Sequence, residues 1–157
     1  HAGKYAAPMR LTSRTDYALR AAMELAAAGE RPLTTGELGA RQGIPVTYLG
    51  AVLAELRRAG IVKARRGVDG GWTLAKGARD ICLADVIRAV DGTLANVAGT
   101  RPEKLSYKGA AKGLRAALIA VRAAEREVLE GISLADAVAE RFPARVRRLL
   151  DNPNAWR

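Results

Sequence analysis

The segment from Ile44 to Leu74 restricts the fold more than any other part of the chain. Leu49, Val52, Leu53 and Leu56 recur at the spacing of one apolar helix stripe, and Gly60 marks where that helix should close. From Ile61 to Arg66 the period changes. Val62 and Ala64 alternate with Lys63 and Arg65, which is strand spacing. Asp69, Gly70 and Gly71 allow the positive φ of a tight hairpin, and Trp72-Thr73-Leu74 then resumes the alternation. A short helix running into a basic, glycine-tipped hairpin is what a winged helix-turn-helix requires. One element can enter a major groove while the other presses on the neighbouring backbone.

The upstream residues complete that motif. Ser13 to Ala28 is helical in pattern, with Tyr17, Ala21, Ala22 and Leu25 able to share a face, Ser13 as cap and Gly29 as stop. Thr34-Thr35-Gly36-Glu37 has the form of a capping box opening a second helix that ends at Gly43. Pro45 suits the first position of the third helix, where its missing N–H would have been unpaired in any case. Helix, glycine turn, helix follows from these three signals.

Downstream, Ile81 to Val90 reads as a fourth helix stopping at Gly92, and residues 93–110 read as a long loop rich in breakers. A long helix is expected from about Ala111 to Glu130. On it Leu114, Leu118, Val121 and Val128 recur at heptad-like spacing, interrupted by Glu125, which makes them the candidate dimerisation seam. Ser133 to Asp136 caps a further short helix. The phrase ISLADAV there echoes ICLADVI at 81–87, and we read the echo as shared capping chemistry because the flanks differ. The basic tail, 141–157, is expected to be loosely ordered. His1 to Pro8 reads as a remnant of cloning before a native start at Met9. The expected layout is therefore a winged helix-turn-helix over 9–92, a loop over 93–110, a dimerisation helix region over 111–140 and the tail. The fold class is mainly α with a small β-hairpin wing.

Charge indicates the partner. The chain of 157 residues carries a formal net charge of +10, so a polyanion is the first partner to consider. Between Glu55 and Arg79 seven basic side chains stand against two acidic ones. Lys63 and Arg65 share the solvent face of their strand. Arg66 sits where the strand gives way to the tip formed with Gly67 and Gly70, and an Arg beside such a tip can enter a narrow minor groove. A merely solvated hairpin is the bland alternative. On the third helix, Thr47 and Tyr48 lie in the first turns, the part that reaches base edges. Thr47 can hydrogen-bond to a base or phosphate, whereas Tyr48 fits equally well as a boundary aromatic.

Other classes are disfavoured. No run of uncharged apolar residues is long enough to cross a membrane. The one histidine is His1, so neither a Ser–His nor a Cys–His pair is available, and the glycines at 67–71 do not feed a helix as a phosphate loop must. An enzyme is not expected. The single cysteine, Cys82, excludes an internal disulfide and suits the cytoplasm. A winged helix used for protein–protein contact or RNA binding, without operator specificity, is the alternative function.

The motifs Met9-Arg10-Leu11-Thr12, Asp16 to Ala21, Ile44 to Leu49, Leu56 to Val62, Arg66 to Ala75 and Ile81 to Gly92 together resemble the IscR/NsrR/CymR (Rrf-type) family of bacterial winged-helix transcription regulators. The resemblance is close over 9–92 and loose over 110–140. It implies a homodimer on a palindromic operator in double-stranded DNA, and a repressor. It further implies the wing arginine, here Arg66, in the minor groove, contacts from Thr47 and Tyr48, and phosphate contacts from Thr12, Ser13 and Arg14. With these we group Arg65, Gly67 and Gly70 as candidate DNA-binding residues.

Two departures stand out. Many members carry Glu or Gln just after the Tyr-Leu pair, where this chain has Gly50 and Ala51, so base readout from the helix should be sparse. Iron–sulfur members hold three cysteines in the loop before the long helix, whereas residues 92–110 here contain neither Cys nor His. No cluster or other cofactor, and no metal, is therefore expected, and Arg20, in a first-helix position where a variant member recruits ligands, cannot serve as one. A small-molecule effector is left open, since no pattern names one. Cys82 is the candidate redox sensor: it falls at the N-cap of the fourth helix, where the helix end could stabilise a thiolate. A small, buried, inert residue serving as a mediocre cap is the competing reading.

Overall fold

The computed structural model describes residues 11–92, 94 and 99–157; the proposed remnant at His1–Pro8 and part of the 93–110 loop lie outside the described residues. In chain order the elements are α1 (Ser13–Ala28), α2 (Thr35–Gln42), α3 (Val46–Arg58), β1 (Val62–Arg65), β2 (Gly71–Leu74), α4 (Leu83–Asp91), α5 (Leu114–Glu130), α6 (Leu134–Val138) and α7 (Ala144–Leu150). The chain is mainly helical with one antiparallel hairpin, the winged helix-turn-helix that the periodicity predicts.

The core lies between α1, α3 and α4. Ala18, Ala21, Ala22 and Leu25 of α1 meet Leu49, Val52, Leu53 and Leu56 of α3, and Val86 of α4 packs into the same cluster. The alanines on α1 let these helices approach closely, which explains how a chain poor in aromatics fills its interior. Gly39 of α2 belongs to the same logic. A Cβ there would stand 2.7 Å from the Ile44 carbonyl oxygen, so only glycine lets the turn between α2 and α3 fold so tightly. The capping box forms as expected. Thr34 Oγ1 accepts from the Glu37 N–H at 3.1 Å, and the Glu37 carboxylate accepts from the Thr34 N–H at 2.8 Å. Those bonds hold the Glu37 carboxyl below its ordinary range.

Several local expectations are corrected. Thr12, not Ser13, caps α1, because its backbone is extended and its hydroxyl accepts from the Thr15 N–H at 3.2 Å. Pro45 is the N-cap of α3 and not its first helical residue, with ψ at 131°. Ala64 is exposed, since the hairpin has too few strands to cover both faces. The wing nevertheless gains a third chain: Leu33 and Trp72 exchange backbone hydrogen bonds of 3.0 and 2.8 Å. Gly71 makes that possible, because its φ is 148° and a Cβ would come within 2.7 Å of the Leu33 backbone. Trp72 then anchors the wing to α2 by donating its indole N–H to Thr35 Oγ1 at 3.1 Å.

The echo between ICLAD and ISLAD is structural as well as chemical. Cys82 and Ser133 form an antiparallel bridge, with Leu83 N–H donating to the Ile132 carbonyl at 3.0 Å and Leu134 N–H to the Ile81 carbonyl at 2.8 Å. The two capped segments thus pair with each other, tying α6 back to the winged domain. The tail is also more ordered than expected. It forms α7 and a final 3-10 turn, because Pro143 opens a helix that buries Val146, and Arg145 pairs with Glu127 of α5.

Candidate nucleic-acid interface

Helix α3 turns two unlike faces outward and inward. Leu49, Val52, Leu53 and Leu56 are buried, while Val46, Thr47, Tyr48, Gly50 and Ala51 are exposed and Ala54 is half-buried. Thr47, Gly50, Ala51 and Ala54 follow the i, i+3, i+4, i+7 rule, so they form one outward strip whose largest side chain is a threonine. Tyr48 is 61% exposed, and its ring lies 6.4 Å from that of Tyr17 in a tilted pair. It is therefore a boundary aromatic resting on α1 with its edge open to solvent, and the two readings of it from sequence are compatible.

The wing carries its charge on exposed side chains. Lys63, Arg65, Arg66, Gly67, Val68 and Asp69 are all exposed. Gly67, at φ 107°, opens the tip, and the Gly70 N–H closes it by donating to the Gly67 carbonyl at 3.0 Å. A Cβ at Gly70 would collide with the Arg65 and Arg66 backbone, so the tip that presents Arg66 depends on both glycines. Ion pairs engage eight of the described arginines. Arg14, Arg20, Arg31, Arg41, Arg88, Arg122, Arg126 and Arg145 each face a carboxylate. Among the described residues no ion pair involves Arg57, Arg58, Lys63, Arg65 or Arg66. The end of α3 and the wing thus carry five cations without an ion pair; among the described residues Lys76, Arg79, Arg147 and Arg148 are others that make none.

The start of α1 is more occupied than the sequence implies. The Thr12 hydroxyl caps the helix and lies 3.3 Å from both carboxylate oxygens of Asp91, and the buried Thr15 hydroxyl donates to the same carboxylate. Asp91 ends α4 at the root of the 93–110 loop, so this contact joins the loop to the helix end that the resemblance places against phosphate. Ser13 is exposed, and Arg14, also exposed, pairs with Glu55 of α3. Arg20 is held elsewhere. It donates to Asp16 at 2.8 Å, to the Gln42 side chain at 3.1 Å and to the Gln42 backbone carbonyl, and it lies over the Tyr17 ring. Its role here is to tie α1 to the end of α2.

The four seam residues of α5 do not share one environment. Leu114 and Val121 are exposed, at 45% and 42%, whereas Leu118 and Val128 are half-buried within the protomer. The reason is that α5 already packs on its own chain: Leu129 meets the Ala84, Ile87 and Leu94 cluster, and Arg122 pairs with Glu103 in the 3-10 turn at Pro102–Lys104. Partial burial also raises the Glu125 carboxyl above its usual range.

At Cys82 the surroundings favour the inert cap of the two readings. It does cap α4, but the thiol is pushed up from its ordinary value, first by burial and further by the Asp85 carboxylate, which accepts from the Cys82 N–H at 3.0 Å. Together these outweigh the helix end, so a thiolate is not favoured there.

Residues 11–140 match the Rrf2 family, described as an iron-dependent transcriptional regulator. The chain is 38% identical over 148 residues to a Mycobacterium tuberculosis protein provisionally named an HTH-type transcriptional regulator, spanning 94% of this chain and 92% of that one. It is 33% identical over 148 residues to the HTH-type transcriptional repressor NsrR of Streptomyces coelicolor, spanning 93% of this chain and 99% of the relative. Among solved structures it is similar to CymR, the global cysteine regulator of B. subtilis, with a TM-score of 0.73 and 30% identity over 84% of this chain and 98% of that one. It is also similar to T. potens IscR, with a TM-score of 0.69 and 32% identity over 84% and 88% of the two chains.

Proposed function

The chain belongs to the Rrf2 family of transcriptional regulators, and from that premise we propose that it is a homodimeric repressor that reads a palindromic operator without an iron–sulfur cluster. DNA-binding regulation follows from the family; symmetry, sign of regulation and absence of a cluster are the finer reading. The observation that carries it is a set of five exposed cations without an ion pair, Arg57, Arg58, Lys63, Arg65 and Arg66, close in sequence to an exposed α3 strip of small side chains. Two copies related by a twofold axis would set their α3 helices in successive major grooves, about 34–36 Å apart. Arg66 then lies in the flanking minor groove, Arg65 on the backbone beside it, and Thr47 and Tyr48 at the first base edges. Ser13 and Arg14, with Thr12 holding the helix end, meet a phosphate. The seam of α5 supplies the dimer contact through Leu114 and Val121, with Leu118 and Val128 supporting them. In this layout 9–92 is the DNA-binding unit, 111–140 the dimer region and 141–157 an appended basic segment.

The family's description as iron-dependent raises an iron centre, and the donors of this chain do not fit one. A cluster needs several thiolate or imidazole ligands, and neither Cys nor His occurs between residues 92 and 110. Cys82 lies at the α4–α6 bridge, with its thiol pushed up by burial, and Asp16 is engaged by Arg20.

Selection of bound duplexes from a random-sequence library tests the reading. The expected outcome is enrichment of an inverted repeat whose affinity falls by about 10³–10⁵ between 50 and 200 mM salt, as for roughly 6–10 neutralised phosphates. No enrichment, or an affinity indifferent to salt, would refute it.

A further inference from the structure

Most glycines in the folded part of this chain have a visible reason. Gly29, Gly43, Gly60, Gly67, Gly71 and Gly92 hold a positive φ, and Gly39 and Gly70 leave no room for a Cβ. Gly36, Gly50 and Gly113 have neither reason; Gly36 lies in the first turn of α2 and Gly113 caps α5, which leaves Gly50 as the one set deep in a helix. It sits more than a turn inside α3, at an ordinary helical φ, and a Cβ added there meets nothing within 4 Å. Glycine in a helix interior is unfavourable relative to alanine, because the unfolded chain gains freedom and the backbone is left open to water. The fold of the protomer therefore gains nothing from glycine at this position and loses some helix stability. The position is also the centre of the outward strip formed by Thr47, Ala51 and Ala54.

We infer that Gly50 is a specificity-determining residue: the missing side chain lets α3 settle against base edges in the major groove, where a methyl group would hold it off. The inference rests on the DNA-binding reading above and adds the chemistry of readout to it. Around Gly50 the strip offers the Thr47 and Ala51 methyls and no long polar side chain. That surface suits thymine C5-methyl groups, which are apolar and project into the major groove. Specificity then comes from a close apolar fit, with Arg66 and the unpaired cations supplying backbone and minor-groove attraction.

The test is Gly50→Ala in the full chain, compared with wild type by thermal melting and by binding. The probes are a duplex that wild type enriches from a random library, the same duplex with deoxyuridine for thymidine, and an unselected duplex. Because space is open in the free protein, Gly50→Ala should raise the melting temperature by about 2–4 °C. Its affinity for the selected duplex should fall about five- to a hundredfold, the usual cost of overfilling a close contact, with affinity for the unselected duplex unchanged. Removing the thymine methyls should weaken wild type and leave the variant nearly unaffected. Equal affinity of the two proteins for the selected duplex would overturn the inference while leaving operator binding intact. Failure of wild type to enrich any duplex would overturn the reading beneath it as well.

Discussion

Replacement of Arg66 by alanine separates DNA recognition from folding more cleanly than any other substitution in the wing. Its side chain is exposed, and no ion pair involves it among the described residues, so the folded protein should lose nothing measurable; surface changes of this kind stay within about 0.5 kcal/mol. Binding should respond strongly. The proposed homodimer presents two copies, so in that reading the variant removes two cations from the interface. With a slope of about −0.9 per neutralised phosphate, the plot of log affinity against log salt should flatten by about 1.8. Across the fourfold change from 50 to 200 mM, that amounts to roughly a tenfold smaller loss of affinity than wild type suffers. Fluorescence anisotropy on the selected duplex at several salt concentrations measures the slope, and a thermal melt checks that the fold is intact. An unchanged slope with unchanged affinity would show that the wing arginine does not touch the duplex.

Other consequences can be checked with equal economy. Val121→Asp places a charge on the more open part of the proposed α5 seam and should convert the proposed dimer to monomer by light scattering while the melt stays cooperative; Leu118→Asp should also disturb the protomer, where Leu118 is half-buried. Gly71→Ala drives a methyl into the Leu33 backbone at a φ that disfavours side chains, and should cost about 1–3 kcal/mol in a denaturant titration. Cys82 should alkylate slowly near neutral pH and accelerate only as pH rises past the ordinary thiol range, since its thiolate fraction is suppressed; fast labelling at pH 7 would contradict its surroundings. Cys82→Ser should stabilise by about 0.5–1 kcal/mol, because a hydroxyl caps α4 better than a thiol.

The helix-turn-helix was legible because its signals are local. The Thr34–Glu37 box and the Leu49, Val52, Leu53, Leu56 stripe follow from bonds and spacings within a few residues, and the hairpin follows from its alternation and glycines. What escaped the sequence is non-local. One backbone exchange between Leu33 and Trp72 leaves no periodicity, although Gly71 beside Trp72 carried a hint of close approach. The pairing of Cys82 with Ser133 was visible as an echo, yet two similar caps do not announce that they meet. At the α1 entry, Thr12 and Ser13 are both capable caps, and only the extended backbone at Thr12 decides between them. The seam on α5 was legible as a stripe, but which half of it the protomer keeps for itself depends on Glu103, Leu94 and other distant residues. The two readings of Cys82 could not be separated from sequence because the helix end is a local feature, whereas burial and the placement of Asp85, which favour the inert cap, come from tertiary packing.

A crystal structure of the protein on its selected duplex would test the account most directly. It should place two α3 helices in adjacent major grooves with Gly50 against base edges, and Arg66 of each copy in the neighbouring minor groove. A complex in which the hairpin points into solvent, or in which α3 stands away from the bases, would contradict it.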